Sequence, residues 1–296
     1  MSKKTKMKES IIGYGFILPV ILGILFFNVI PMLFSLYISF TNYDSLSTPE
    51  FIGLKNYTDL FTDSRVIHSL KITILYAVVS TAMGLILSFF LALLLYQKII
   101  GIKIFRSILY SPVIIPVVAA SFVWKDLYNV DYGILNKVIT SFGLKPFPFI
   151  SSPKTALFSI IIFSLWGIGG PMLIWLAGFN NVPKSYYESA DLDGASSLKK
   201  LLHITIPMVS PVIFYNLVMS IIANLQTFTQ VFIMTDDGGP LDATNFLVLN
   251  IFRDGFRNFK MGYASAQAWV LFTIIFILTL IVFRTSRWVF YGDEEV

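Results

Sequence analysis

The sequence predicts an all-α polytopic membrane protein of six transmembrane helices, and three observations carry that prediction. Of its 296 residues 56% are hydrophobic and 13% charged, against roughly 45–50% and 25% in an ordinary soluble domain, which excludes a soluble globular enzyme. Six stretches free of Asp, Glu, Lys and Arg approach or exceed the ~20 residues needed to cross the hydrocarbon. None alternates apolar and polar residues with period two, as an outer-membrane barrel strand would.

Taken in order, the windows lie between Glu9 and Asp44, Lys71 and Lys98, Arg106 and Lys125, Lys154 and Lys184, Lys200 and Asp236, and Lys260 and Arg284. The Lys-rich start before an apolar run also fits a secretory signal. Ile11 to Phe40 is too long for a signal core, however, carries Pro19 and Pro31, and lacks a small-residue cleavage pattern, so a retained first helix is expected. Pro112 and Pro116 mark the third helix, Pro171 the fourth, and Pro207 and Pro211 the start of the fifth. Such breaks survive in a membrane where protein or a water-filled cavity satisfies the freed backbone, so they point either to an aqueous path with moving parts or to plain packing kinks. With the N-terminus inside, twelve of 22 basic residues fall in inner segments: Lys3, Lys4, Lys6, Lys8, Lys98, Lys103, Arg106, Lys184, Lys199, Lys200, Arg284 and Arg287. Ten of 17 acids fall in the outer loops. The basic bias predicts an N-in/C-in topology.

Several chemistries are excluded. A net charge of +5 in so apolar a chain leaves too few cations for a phosphate-tracking surface, and no nucleic-acid partner is expected. The absence of cysteine removes disulfides, thiolate metal sites and thiol nucleophiles. No G-x-x-x-x-G-K-[ST] loop is present to cradle nucleotide phosphates, so the chain is not itself an ATPase. With neither H-E-x-x-H nor G-x-S-x-G, no catalytic residues are assigned. Proton-coupled carriers place ionisable groups at mid-membrane, and the six windows hold no Asp, Glu, Lys or Arg. His68 and His203 read as satisfied surface or interfacial groups. Asp236-Asp237-Gly238-Gly239-Pro240 hints at calcium but lacks the D-x-[DN]-x-[DN]-G spacing and reads as a tight turn, so no metal is expected.

One inner segment is unlike a thin basic connection: Tyr187-Glu188-Ser189-Ala190-Asp191-Leu192-Asp193-Gly194-Ala195, continuing to Ile204-Thr205-Ile206-Pro207. It resembles the EAA loop of the inner-membrane permeases of binding-protein-dependent ABC importers, E-A-A, three residues, Gly, nine residues, then I-x-L-P. Glu188, Ala190, Gly194, Ile204 and Pro207 agree in identity at matched spacing, while Ser189 stands for Ala and Ile206 for Leu. Physically, a short helix with an acid at its N-terminal end is favoured by the helix dipole. Small residues at 189, 190, 195 and 196 leave a low-relief face for a partner, and Gly194 supplies the turn back to the membrane. The other reading is an amphipathic helix on the inner leaflet, but its three acids sit poorly beside anionic lipid. Phe51-Ile52-Gly53-Leu54-Lys55-Asn56-Tyr57 is similar to the F-x-G-L-x-N-Y signature of carbohydrate permeases. Gly238-Gly239-Pro240, Thr244 and Gly262-Tyr263-Ala264-Ser265-Ala266 are similar to that group's outer loop and sixth-helix entry.

The fifth helix offers a separate clue. At 100° per residue, Asn216, Ser220, Asn224, Thr227 and Gln230 fall within about a third of the circumference. Such a neutral polar stripe suits sugar hydroxyls, and the C–H faces of sugars suit aromatic surfaces such as Trp166. The same side chains could instead bond neighbouring helices, at about 0.6 kcal/mol each.

The resemblance implies the MetI-like ABC importer permease fold. Its domains would be a cytoplasmic tail at 1–10, the first helix and outer loop at 11–66, a core permease domain at 67–285 with the coupling loop at 184–207, and a tail at 286–296. ATPase coupling falls to Glu188, Ser189, Ala190, Asp191 and Gly194. Positions 220, 224 and 227 coincide with sugar-contacting positions of the maltose-type subunit, although Thr227 departs from Asn there. Gly167 matches another such position, while Trp166 and Gly170 differ. The implied substrate pathway comprises Trp166, Gly167, Gly170, Asn216, Ser220, Ala223, Asn224, Thr227 and Gln230. Implied partners are a second permease subunit, two cytoplasmic ABC ATPase subunits, an extracytoplasmic sugar-binding protein, the sugar and membrane lipid. No cofactor would be bound by this chain, ATP and Mg being used by the ATPases. Glycerol phosphate or polyols are the nearest alternative substrates, and an ion-coupled secondary sugar carrier is a rival class.

Overall fold

A computed structural model describes residues 3–97 and 100–289, with side chains from Ile12 onward. Lys98, residues 1–2 and residues 290–296 of the expected tail lie outside the described residues, as do the side chains of Lys3, Lys4, Lys6 and Lys8. The described chain is helical, with one isolated antiparallel bridge between Thr41 and Phe51. Two compact units form, residues 3–63 with 251–270, and residues 64–250 with 271–289.

In the first unit, α1 (Lys3–Ile24) passes through a π-helical turn at Leu25–Val29 into α2 (Ile30–Ile38). Ile12–Ile38 forms one span long and apolar enough to cross a membrane, and Phe16 and Phe27 are more than 80% exposed, as lipid-facing side chains are. Helix α1 already begins at Lys3, so the segment 3–10, expected as a tail, is helical. The π turn closes at Ile30, one residue before Pro31, where a missing N–H would otherwise interrupt the ladder.

The F-x-G-L-x-N-Y segment turns out to be a lock on the end of α2. Gly53 takes φ +62° and starts α3 (Lys55–Thr62). The buried Asn56 amide then donates to the Ser39 and Thr41 carbonyls, both at 2.8 Å, satisfying acceptors that the helix end leaves open. Tyr57 adds a 2.7 Å bond to Ser39 and a ring contact with Phe40. The second signature reaches the same Thr41 carbonyl. A Cβ on Gly262 would lie 2.1 Å from the Thr41 carbonyl oxygen, so only glycine lets the two segments touch. Beneath them the buried Asp254 carboxylate accepts from Asn258 and Gln267 at 3.0 and 2.7 Å.

The second unit is built on α4 (Ser64–Tyr96), a 33-residue helix about 50 Å long. Around it come α5 (Ile102–Ile114), α6 (Val117–Leu127), α7 (Ile134–Ser141), α8 (Ala156–Trp166), α9 (Gly169–Asn181), α10 (Lys184–Leu192), α11 (Ser197–Lys200), α12 (Ile206–Met208), α13 (Ser210–Leu225) and α14 (Thr229–Met234). Helix α15 (Leu247–Phe252) leads out of it, and α16 (Met261–Arg284) returns to it from residue 271.

Helices α4 and α16 are continuous spans, whereas the other three windows are bent pairs, by 99° between α5 and α6, 45° between α8 and α9, and 65° between Ser197–Met208 and α13. Among the described residues the count is therefore three unbroken spans, or six if each bent pair crosses once. The 99° bend sits at Ile115, which takes ψ 125° because Pro116 bars it from helical geometry. The fourth-window bend falls at Gly167 and Ile168, not at Pro171, which lies in the first turn of α9 where no backbone donor is needed.

Close helix contacts depend on missing side chains. A Cβ on Gly169 would meet the Leu109 carbonyl of α5 at 2.2 Å, and one on Gly178 would meet Val212 of α13 at 2.7 Å. Among the described residues, two apolar clusters pack beside these contacts. Tyr76, Tyr128, Ile160, Phe163 and Phe246 belong to one, and Ala92, Met172, Trp175, Phe179 and Val209 to the other.

Candidate functional site

Two regions of the second unit gather the residues singled out in the sequence. At one end stands α10. The Tyr187 hydroxyl meets Thr205 Oγ1 at 2.8 Å, and Lys200 Nζ meets Asp191 Oδ1 at 2.6 Å, tying α10 to the following turns. The helix closes in a Schellman motif, with Gly194 at φ +69°, the Ala195 N–H on the Ala190 carbonyl at 2.9 Å and the Gly194 N–H on the Asp191 carbonyl at 3.1 Å. Ser196 then caps α11 by accepting from the Lys199 N–H. A π turn at Leu201–Thr205 closes one residue before Pro207, as the one before Pro31 does. This loop is a built element.

One expectation needs correction. Pro183 starts α10 at Lys184 with no acid in the first turn, so Glu188 stands at the fifth residue, beyond the reach of the dipole at the helix start. Glu188, Ser189, Asp191 and Gly194 are exposed, and Ala190 is half-buried. Glu188 and Leu192, four residues apart, share a face, and Leu192 is 91% exposed. The loop presents a charge and a bare apolar side chain.

The second region lies at mid-height. Asn224 Nδ2 donates to Thr81 Oγ1 at 2.9 Å, and Ser164 Oγ donates to Ser80 Oγ at 3.4 Å. Ser80 and Thr81 are the central residues of α4, about 25 Å from either end, so the C-terminal ends of α8 and α13 meet α4 at one level. That brings Trp166 and Gly167, just past Ser164, to the height of Asn224. Gly167 is exposed at its bend, and Gly170 is half-buried against Val113. The Trp166 ring is half-buried and inclined 61° to the Trp124 ring, centroids 5.8 Å apart.

The polar stripe is shorter than expected. Helix α13 ends at Leu225, and Phe228 takes φ −136°, so Thr227 and Gln230 leave the line of Asn216, Ser220 and Asn224. Thr227 is a weak helix former whose hydroxyl donates back to the Ala223 carbonyl at 3.4 Å. Gln230 sits instead on α14, which packs against α6. On α13 Asn216 is buried, Ser220 and Asn224 are half-buried and Ala223 is exposed. Sequence reasoning missed Ser80, Thr81 and Ser88, whose hydroxyl accepts from the Trp175 indole at 3.0 Å. The signal was a Ser-Thr pair inside the second charge-free window, nine residues after Lys71.

A helical bundle whose spans break around a polar level, with no nucleotide loop of its own and a rigid exposed loop at one end, has the build of a membrane permease. The chain belongs to the family of binding-protein-dependent transport system inner membrane components, whose pattern matches residues 84–291. As such it is an inner-membrane transport subunit and not an enzyme. It is 41% identical to the "Probable ABC transporter permease protein YesP" of Bacillus subtilis (strain 168), over 97% of this chain and 94% of that one. It is 29% identical to the trehalose/maltose transport system permease protein MalF of Thermococcus litoralis over 97% of both chains. It is 30% identical to the sn-glycerol-3-phosphate transport system permease protein UgpA of Yersinia pestis over 79% and 80%. Among solved structures, a chain of a bacterial alginate ABC transporter, in complex with an alginate pentasaccharide-bound periplasmic protein, superposes with TM-score 0.85 over 96% of both chains. At 22% identity that likeness establishes the fold alone.

Proposed function

We propose that this chain is the permease subunit of an ABC importer that carries a sugar, most simply an oligosaccharide, across the membrane by alternating access. The observation that carries the reading is the 184–207 loop, five identities of seven to the EAA pattern, folded as a capped helix with Glu188 exposed. With N-in/C-in topology and the 67–285 segment as the permease core, this loop faces the cytoplasm. There Glu188, Ser189, Ala190, Asp191 and Gly194 engage an ATPase subunit. A second permease, a second ATPase and an external binding protein complete the assembly, and ATP and Mg belong to the ATPases. Shifting a bundle from 1:99 to 99:1 takes about 5.5 kcal/mol of differential binding, which ATP-driven closure and the docked binding protein supply together.

The substrate passes the α4 midpoint. Asn224 keeps its Oδ1 for a sugar hydroxyl while its amide anchors on Thr81, and Ser220, Ala223 and Gly167 border the same level. Asn216, Thr227, Gln230, Trp166 and Gly170 shape its surroundings. A relative named for trehalose and maltose transport favours sugars. One named for sn-glycerol-3-phosphate supports the second reading, against which stands the lack of a fixed positive charge among these residues.

Affinity purification of the tagged chain from its native membrane tests the proposal. The expected result is recovery of a second permease and an ATPase, with the ATPase lost from Glu188→Ala. Recovery of the chain alone, active under an ion gradient, would replace the importer with a secondary carrier.

A further inference from the structure

A cavity of about 570 Å³ in the second unit is left unused by this mechanism. It lies at the end of α4 away from the 184–207 loop. Next to its Pro240 wall, the Asp242 carbonyl accepts from His68 near the start of α4, while Leu93 and Tyr96 at the other end border Tyr187. Its size is that of small-molecule sites, roughly 300–1,000 Å³. The cavity is preformed. Asp236, Asp237, Gly238 and Gly239 all take positive φ, and a Cβ on Gly239 would press on Thr244 at 2.9 Å. Lys125 pairs with Asp236. The Asn129 carboxamide oxygen accepts from the Asp131 and Tyr132 N–H groups at 2.9 and 3.2 Å, fixing both at the rim.

The chemistry of the lining is specific. Lys125 is the one cation among the described lining residues and is paired with Asp236, so the exposed Asp131 carboxylate leaves a net negative charge on the lining. Tyr132 is 57% exposed, and its hydroxyl donates to Asp126 at 3.2 Å. That bond, with the nearby carboxylate charge, raises the phenol's pKa above its ordinary value and keeps it protonated. An open aromatic ring beside carboxylate acceptors fits the C–H face and hydroxyl donors of a sugar ring. The same carboxylates repel a uronate or a phosphate.

Resting on the sugar reading above, we propose that this cavity is a second, outer sugar subsite that receives uncharged sugars and turns away anionic ones. Asp131 and Tyr132 are its selectivity residues.

The test uses the whole importer complex in nanodiscs, without ATP or binding protein, and saturation-transfer NMR with maltose, cellobiose, melibiose and a mannuronate disaccharide. At least one neutral sugar should bind saturably and the mannuronate should not. Tyr132→Ala should weaken the neutral sugar about fivefold, Tyr132→Phe should retain it, and Asp131→Lys should admit the anion. Asn224→Leu should leave this signal in place. Binding lost in Asn224→Leu and unchanged in Tyr132→Ala would overturn the subsite while leaving sugar transport standing. In a parallel titration of the binding protein onto the same nanodiscs, Tyr132→Ala weakening only that protein's affinity, with sugar binding unchanged, would make the rim a protein-docking surface and overturn the subsite as well. A wild-type complex that binds none of the sugars and imports a different class of solute would overturn the sugar reading and this subsite together.

Discussion

Gly194→Ala isolates the contribution of one backbone conformation to coupling. Gly194 sits at φ +69°, and a Cβ built there meets nothing within 4 Å, so the substitution adds no clash and removes no contact. What remains is the intrinsic cost of the left-handed region for an L side chain, about 1–2 kcal/mol. Alanine should therefore reduce the population of the closed Schellman turn, and with it ATPase affinity, by roughly 5–30-fold. Asparagine, which tolerates this region, should fall between glycine and alanine, and valine below alanine. The assay is titration of the purified ATPase subunit onto the permease pair in nanodiscs, read as a dissociation constant. Gly53→Ala, at φ +62° with equally open space but in the first unit, is the control and should leave that constant unchanged. Alanine binding as tightly as glycine, or asparagine binding more weakly than alanine, would refute the assignment of this turn to coupling.

Gly169→Val should separate α5 from α9, because even a Cβ falls 2.2 Å from the Leu109 carbonyl; a loss of about 3 kcal/mol is expected as lower thermal stability in detergent. Asn224→Leu should abolish sugar uptake while a pull-down still recovers the ATPase, and unchanged uptake would leave Asn224 with only its Thr81 bond. The Asp44 carboxyl, held down to about 2 from 3.8 chiefly by the Ser47 and Leu46 backbone N–H groups, should titrate near 2 by carboxyl-carbon NMR. Because its folded pKa is depressed, the local turn gains its support above pH 3.8 and loses it as pH falls toward 2. Ser47→Ala, which removes one bond to this carboxylate, should move the midpoint upward.

Much of this protein was legible in the sequence because the bilayer is a severe solvent. It forces long charge-free windows, and those windows coincide with three unbroken spans and three bent pairs. Glycines with a backbone duty were legible too. Gly194 was expected to turn the chain and does so in a Schellman motif. What sequence spacing did not contain is where a helix stops when its neighbours compete for its backbone. Periodicity carried the fifth helix through Thr227 and Gln230, whereas the chain leaves helical geometry after Leu225, and Pro183 sets the start of α10 four residues before Glu188.

Tertiary structure alone decided three further matters. The two carbohydrate-permease signatures converge on one carbonyl, with Gly262 packed against Thr41 and Asn56 donating to it at the end of α2. Ser80 and Thr81 become the level at which α8 and α13 join α4. The turn at Asp236–Gly239 walls a cavity with residues about a hundred positions earlier in the chain. Composition and local pattern dictate which segments leave water and where a lone backbone must bend, since those depend on each residue's own solvation and torsions. Which polar side chains face one another depends on packing between distant segments, and that is fixed only once the helices are in contact.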